Sequence, residues 1–271
     1  MSDSKQDLEV LSRHIDDEDA NYRLRVDDKV CYLEIPVEGV FDEDTLCRPY
    51  LLIPKLPSLP TSTWTVISMT RDDCGKFALT GSTIPLSGIQ TTWHIQYVDV
   101  LSLKRTQRFR SGVHEVLYND APAIAKIACF EWDIPRLERE TWAYSVLAQH
   151  QRSHPSEALI SPNFLAPITE NGRVIGTLLE KLDGVAACID DLAACEALLK
   201  RLHRVGLVHG DVNRYNFLVK EGVKDSVRLV DFEHADEFDE EVAREELRSL
   251  PAELAEETGR GTSTVIGSTG T

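Results

Sequence analysis

Nowhere do the 271 residues gather the ~18 consecutive apolar side chains that a membrane-spanning helix needs. The opening ten, MSDSKQDLEV, hold no apolar stretch of the kind a secretory leader carries. Basic residues are scarce: 29 lysines and arginines face 45 aspartates and glutamates, a formal charge of −16. A chain with that balance has no general basic face for nucleic acid or for an anionic membrane. Surplus acid keeps a protein in solution and leaves room for a basic partner. None of the six cysteines (31, 47, 74, 129, 188, 195) forms a CxxC pair. That removes the common zinc and dithiol motifs and points to reduced, buried thiols in a cytoplasmic compartment. Internal repeats are absent as well. What remains is 42% hydrophobic and 27% charged residues, an ordinary globular composition with core enough for one large domain or two small ones.

The first 26 residues are polar and acidic and predict a disordered arm. Between 27 and 107, short apolar runs alternate with Pro, Gly and Asp, as in a β-rich region. Strands are expected at 30–35, 50–53, 64–67 and 93–98. The rhythm then changes. Two strands around a turn at Ser111-Gly112 lead to a third at 123–130. Pro135 opens a helix with Leu137, Glu140, Tyr144 and Leu147 on one stripe. After a strand at 173–182, Asp190 and Asp191 cap a second helix. Its stripe is Leu192, Cys195, Leu198, Leu199 and Leu202, and Gly206 is its stop. A strand at 226–231 and an acidic helix from 240, bent or split by Pro251, are expected next. A Gly/Ser/Thr-rich, disordered tail closes the chain from 258.

The stretch GLVHGDVNRYNFLV, residues 206–219, sets His209, Asp211, Asn213, Arg214 and Asn216 between two apolar runs. Downstream, Asp231 closes a hydrophobic strand in LVDFE. Asp-x4-Asn followed by a strand-end Asp is the arrangement phosphoryl transfer needs. One carboxylate receives the proton of an attacking hydroxyl. An amide oxygen and a second carboxylate, both hard ligands, hold Mg²⁺ against the phosphates. A polar hairpin turn would account for Asp-x4-Asn taken alone. It leaves Lys126 unexplained, which interrupts the apolar strand AIAKIA. That lysine either snorkels to an edge or faces a phosphate. Glu140, an acid on an otherwise apolar stripe, is the partner that would let both charges be buried; Glu138 points elsewhere.

Taken in order, these elements resemble the protein-kinase-like superfamily. They are the strand-turn-strand around Gly112, Lys126, Glu140, the strand into Glu180-Lys181-Leu182, His209-Gly210-Asp211, Asn216 and Asp231-Phe232-Glu233. The resemblance spans roughly residues 108–235, about half the chain; each motif is weak alone, and five in register are specific. It implies an α+β, two-lobed kinase-like fold, with an N-lobe at 108–184 and a truncated C-lobe at 185–257. The β-rich region, 27–107, lies outside it. It implies ATP and Mg as cofactors and a catalytic set of Asp211, Lys126 and Glu140. Asp211 would be the base, Lys126 would hold the α/β-phosphates and Glu140 would fix Lys126. Gly112 would mark the loop over the phosphates, the backbone of Glu180, Lys181 and Leu182 would receive adenine, and Asn216 and Asp231 would bind Mg²⁺.

Departures from the pattern are plain. Gly112 is the sole glycine of its loop, Asn213 stands where protein kinases usually carry lysine, HGD replaces HRD and DFE replaces DFG. HGD and DFExA are closest to the aminoglycoside and choline phosphotransferase branch. That branch's acceptor-binding insert has no counterpart between Gly184 and His209. The short C-lobe is similar to that of the small kinase of the KEOPS tRNA-modifying assembly or of lipopolysaccharide kinases.

The expected activity is therefore transfer of the γ-phosphate of ATP to a hydroxyl of a small molecule or a protein. A pseudokinase that holds nucleotide or acts as a scaffold is the second reading, drawn from the depleted loop and the short C-lobe. Asp211 and Asp231 as a glycosidase pair would leave Lys126 and Asn216 without work. His150 and His154 have chelating spacing, but Ser153 and Pro155 argue for a solvent-exposed loop. The acidic run at 236–246 reads as a solvated helix face. Expected partners are ATP, an unidentified hydroxyl acceptor and, left open, a protein; neither nucleic acid nor membrane is expected.

Overall fold

A computed structural model of the chain describes residues 6–60, 64–220 and 226–259. These fall into two compact units. The first runs up to Ser87 and adds Cys129–Glu131 and Asn171–Arg173; the second takes the other described residues from Gly88 on.

The first unit is a five-stranded sheet in sequential order: β1 (Leu8–Ile15), β2 (Asp19–Val26), β3 (Lys29–Pro36), β4 (Val66–Arg71) and β5 (Phe77–Ser82). Neighbours are antiparallel except β3 and β4, which run parallel. The connection between those two carries α1 (Glu43–Cys47) and α2 (Pro49–Leu52). Leu46 and Leu52 from these helices join Tyr22, Leu24, Leu33, Ile35, Ile67 and Met69 in one core.

Four expectations are corrected here. Residues 8–26 are two strands, not a disordered arm. Ala20, Tyr22, Leu24 and Val26 are buried at every second position of β2. The acidic residues around them hid that period from a reading based on net charge. Residues 50–53 are not a strand, because Pro49 occupies the first helical position of α2 and the turn continues into Ile53–Lys55. Nor do residues 93–97 form a strand; only β6 (Val98–Asp99) pairs. Residues 88–107, assigned above to the β-rich region, lie in the second unit. The Ile89 amide donates to the Val174 carbonyl at 2.8 Å, and Val100 and Leu103 pack with Val116, Ala125, Ile168 and Leu178. Of the tail expected from 258, residues 260–271 lie outside the described residues.

The second unit opens with a six-stranded sheet in the order β6-β10-β11-β9-β8-β7. It comprises β6, β7 (Lys104–Arg110), β8 (Val113–Tyr118), β9 (Ala121–Ile127), β10 (Phe164–Glu170) and β11 (Arg173–Glu180). Helix α3 (Ile134–Ser153) connects β9 to β10 and buries Leu137, Glu140, Tyr144 and Leu147, the stripe read from the sequence. It runs through His150, which is helical rather than in a loop.

The remainder is mainly helical. β12 (Val185–Ala186) precedes α4 (Leu192–Val205), which buries Cys195, Leu198, Leu199 and Leu202 and stops at Gly206 with φ 95°. Then come β13 (Leu207–Val208), β14 (Phe217–Val219), β15 (Val227–Leu229), β16 (Asp236–Glu237) and α5 (Glu240–Leu254), with Pro251 inside α5. β14 pairs with β12 and β15, and β13 with β16. One core joins both parts, with Val113, Ile124 and Leu179 from the large sheet meeting Leu198, Leu202, Phe217, Phe232 and Leu250. A sheet with one packed helix, followed by a reduced helical lobe, is the kinase-like α+β architecture. Among the described residues, no helix is long and apolar enough to cross a membrane.

Candidate active site

β9 lies between β8 and β11, so a side chain on it has no edge to snorkel to. Lys126 is accordingly buried, 5% exposed. Its Nζ donates to Glu140 Oε1 at 2.9 Å and to Asp231 Oδ1 at 2.5 Å, and lies 3.5 Å from Glu233 Oε1. Burial works to lower the Lys126 pKa, but the three carboxylates outweigh it and hold the ammonium charged. Burial also works to raise Asp231, yet Lys126 and Arg110 carry it down to about 2. Glu140 moves the other way. Its lack of water raises its pKa, and Lys126 offsets that only in part. Among the described residues, Glu140, Asp231 and Glu233 are the one set of three groups with metal-like convergence. The Lys126 ammonium already lies among them.

Two arginines complete this cluster. Arg110, the last residue of β7, sets Nη2 3.3 Å from Asp231 Oδ2 and 3.2 Å from Glu233 Oε1. Arg136, in the first turn of α3, reaches Glu233 Oε2 at 3.2 Å. Asp231 itself has left-handed backbone angles, φ 68° and ψ 65°, at the entry to the turn Phe232–His234.

The 206–219 segment is held from both sides. His209 is fully buried, and its Nε2 meets the Val230 carbonyl at 3.0 Å. The Val230 amide donates to the Asn216 carbonyl at 3.0 Å, so Val230 ties this segment to Asp231. Asp211 Oδ2 accepts from Asn213 Nδ2 at 3.1 Å and from Asn216 Nδ2 at 3.0 Å. Asn213 Oδ1 also caps the following turn at the Tyr215 amide. Asparagine in place of the lysine thus becomes a local brace for Asp211. Gly210 has φ +76°, and a Cβ there would lie 2.1 Å from the His234 carbonyl oxygen. HGD cannot be HRD in this chain, because no side chain fits at its centre.

A pocket is lined by Ile124, Leu179, Leu182, Leu218 and Val230 together with Lys126, Asp231, Glu180, Lys181 and Pro162. The Glu180 amide is taken by the Asn163 carbonyl at 2.9 Å, and its carboxylate accepts from Asn163 Nδ2 at 2.7 Å. Lys181 Nζ pairs with Glu115 at 2.5 Å. These bonds fix the strand end beside the pocket. Gly112 lies at the β7–β8 turn with φ 72°, where its carbonyl accepts from the Ile127 amide, and it does not line this pocket.

Lys126, Glu140 and Asp231 therefore meet directly, Asp211 and Asn216 meet each other, and Glu180 to Leu182 share the pocket with Lys126. Glu246 went unnoticed in the sequence. The acidic run is not uniformly solvated: Glu246 on α5 is 6% exposed. Its Oε1 accepts from the amides of His209 at 2.8 Å and Gly210 at 2.7 Å, and its Oε2 meets His203 Nε2 at 2.7 Å. Arg110 was missed too, and no periodicity marked it. The histidines 150 and 154 stack, rings 4.3 Å apart and 20° from parallel, which is not a chelating arrangement.

Fold and site together are those of a kinase-like phosphotransferase. Residues 185–257, about a quarter of the chain, match the model of the lipopolysaccharide kinase (Kdo/WaaP) family. That segment contains Asp211, Asn216, Asp231 and Glu246 but neither Lys126 nor Glu140. No curated protein matches the chain.

Proposed function

We propose that the chain transfers the γ-phosphate of Mg·ATP to a hydroxyl group, and that a sugar bears this hydroxyl. The observation that carries the reading is the buried Lys126 ammonium, 2.9 Å from Glu140 and 2.5 Å from Asp231, in the wall of a pocket. A lysine so desolvated and so fixed is suited to bind phosphate oxygens. Glu140 positions it. The Leu182 end of the strand offers backbone groups to adenine, beside the apolar Ile124 and Leu218.

The donor set fits a hard cation. Asn216 Oδ1 is buried and has no hydrogen-bond partner, and Asp231 supplies carboxylate oxygens. Asn216 and Asp231 would hold Mg²⁺, which when bound neutralises charge on the phosphates. Asp211 is braced through Oδ2 by two asparagine amides, which leaves Oδ1 to take the proton of the acceptor hydroxyl. The sugar acceptor rests on the family whose model residues 185–257 match, which is described as a lipopolysaccharide kinase family. Six free thiols suit a cytoplasmic setting.

The test is Asp211→Asn. Turnover with Mg·ATP and sugar acceptors should fall by about 10³-fold or more, while Mg·ATP still raises the melting temperature as it does for the parent. Undiminished turnover removes Asp211 from the chemistry. A parent protein that Mg·ATP does not stabilise at all is a scaffold.

A further inference from the structure

Arg110 has no part in the reading above, yet it touches the group on which that reading depends most. Its Nη2 bridges Asp231 Oδ2 and Glu233 Oε1 at 3.3 and 3.2 Å. The side chain is 32% exposed, and its Nε is buried without a hydrogen-bond partner. Only one edge of a five-donor fork is thus engaged. The residue stands two before Gly112, at the head of a hairpin that has one glycine where phosphates are ordinarily covered by several. The other cations of β7 have a simpler explanation: Lys104, Arg105 and Arg108 lie on the edge strand and are exposed, where charge blocks strand pairing between molecules.

Asp231 cannot serve Arg110 and a divalent cation equally well, because each neutralises the same carboxylate. Glu233 is different. Arg136 at 3.2 Å and Lys126 at 3.5 Å stay with it, so withdrawal of Arg110 leaves no bare buried acid. Asp231 likewise keeps Lys126 at 2.5 Å, so neither acid is bared when Arg110 leaves.

We propose that Arg110 is a phosphate clamp that does the work of the missing glycines, held on Asp231 and Glu233 until nucleotide and metal arrive. This rests on the phosphotransferase reading. The ligand class is a nucleoside di- or triphosphate, held by the guanidinium fork through its terminal phosphate oxygens.

The inference has a signature that a structural ion pair lacks. Removing the guanidinium frees Asp231 for metal and at the same time takes a donor from the phosphates. Arg110→Gln should therefore bind Mn²⁺ alone more tightly than the parent, and Mg·ATP about tenfold to a hundredfold more weakly, with adenosine affinity unchanged. Arg110→Lys should fall between. Isothermal titration with Mn²⁺, adenosine and Mg·ATP reads all three, and a melting curve establishes that each variant is folded. Should the glutamine variant fail to fold, the lysine variant carries the comparison. Unchanged Mg·ATP affinity, or parallel loss of Mn²⁺ and Mg·ATP, overturns the clamp and leaves the phosphotransferase reading standing. A parent that binds neither adenosine nor Mg·ATP removes both.

Discussion

His209 shows what burial does to a titratable ring. The Val230 carbonyl can only accept, so Nε2 carries the proton, and Nδ1 is left buried and bare. Burial depresses the pKa below 6.5, although Glu246 and the Val230 carbonyl push the other way. The unfolded chain then takes up the proton first. Stability is present above about pH 6.5 and drains as pH falls through the lower folded value. The melting temperature should drop between pH 7.5 and pH 5.5, and drop less in His209→Gln, whose amide can keep the bond to Val230. Equal drops would show that other groups govern acid sensitivity. The same scale decides what could be read from sequence. Lys126 and Glu140 stood out because each charge interrupts an apolar pattern in its own element. Glu246 does so too, at helical spacing with the buried Ala243, Leu250 and Leu254. Glu240, Glu241 and Glu245 around it drowned that signal. Arg110 interrupts nothing, and only its contacts reveal it.

Among the elements, α3 and α4 were legible from stripe, proline and glycine, since a helix writes its buried face at fixed intervals. The strand at β2 wrote its face just as regularly, but overall acidity was weighted above alternation. Residues 93–97 had strand composition without a partner strand to pair with, and composition cannot supply one. The loop at 209–211 depends on an element contact that the sequence never hinted at, the carbonyl of His234 against Gly210. Gly210→Ala should cost about 1–3 kcal/mol in denaturant unfolding, through both the positive φ and the contact at 2.1 Å. A variant as stable as the parent would mean that the Phe232–His234 turn yields without cost.

For the molecule as a whole, the motif order along the chain gave the kinase-like part of the fold, and nothing in that order hinted at the five-stranded unit. Its strands contain no chemistry-bearing pattern; the apolar runs at 30–35 and 64–67 marked β3 and β4, and burial reveals the others. Within the second unit, the last helix packs Leu250 and Leu254 against the core under the site, and its polar hold on the loop is the Glu246 carboxylate. Glu246→Gln keeps the shape and loses the charge that holds two loop amides and His203. Turnover should fall about tenfold or more while KM for ATP changes little, because the pocket walls are untouched. Equal losses in both would place Glu246 in nucleotide binding instead. This arrangement also orders events in time. A ribosome delivers Lys126 early and Asp211 later, and the amides of His209 and Gly210 gain their acceptor only once residue 246 has emerged. Nascent or prematurely terminated chains that stop short of it would thus carry this loop with two of its amides unanswered.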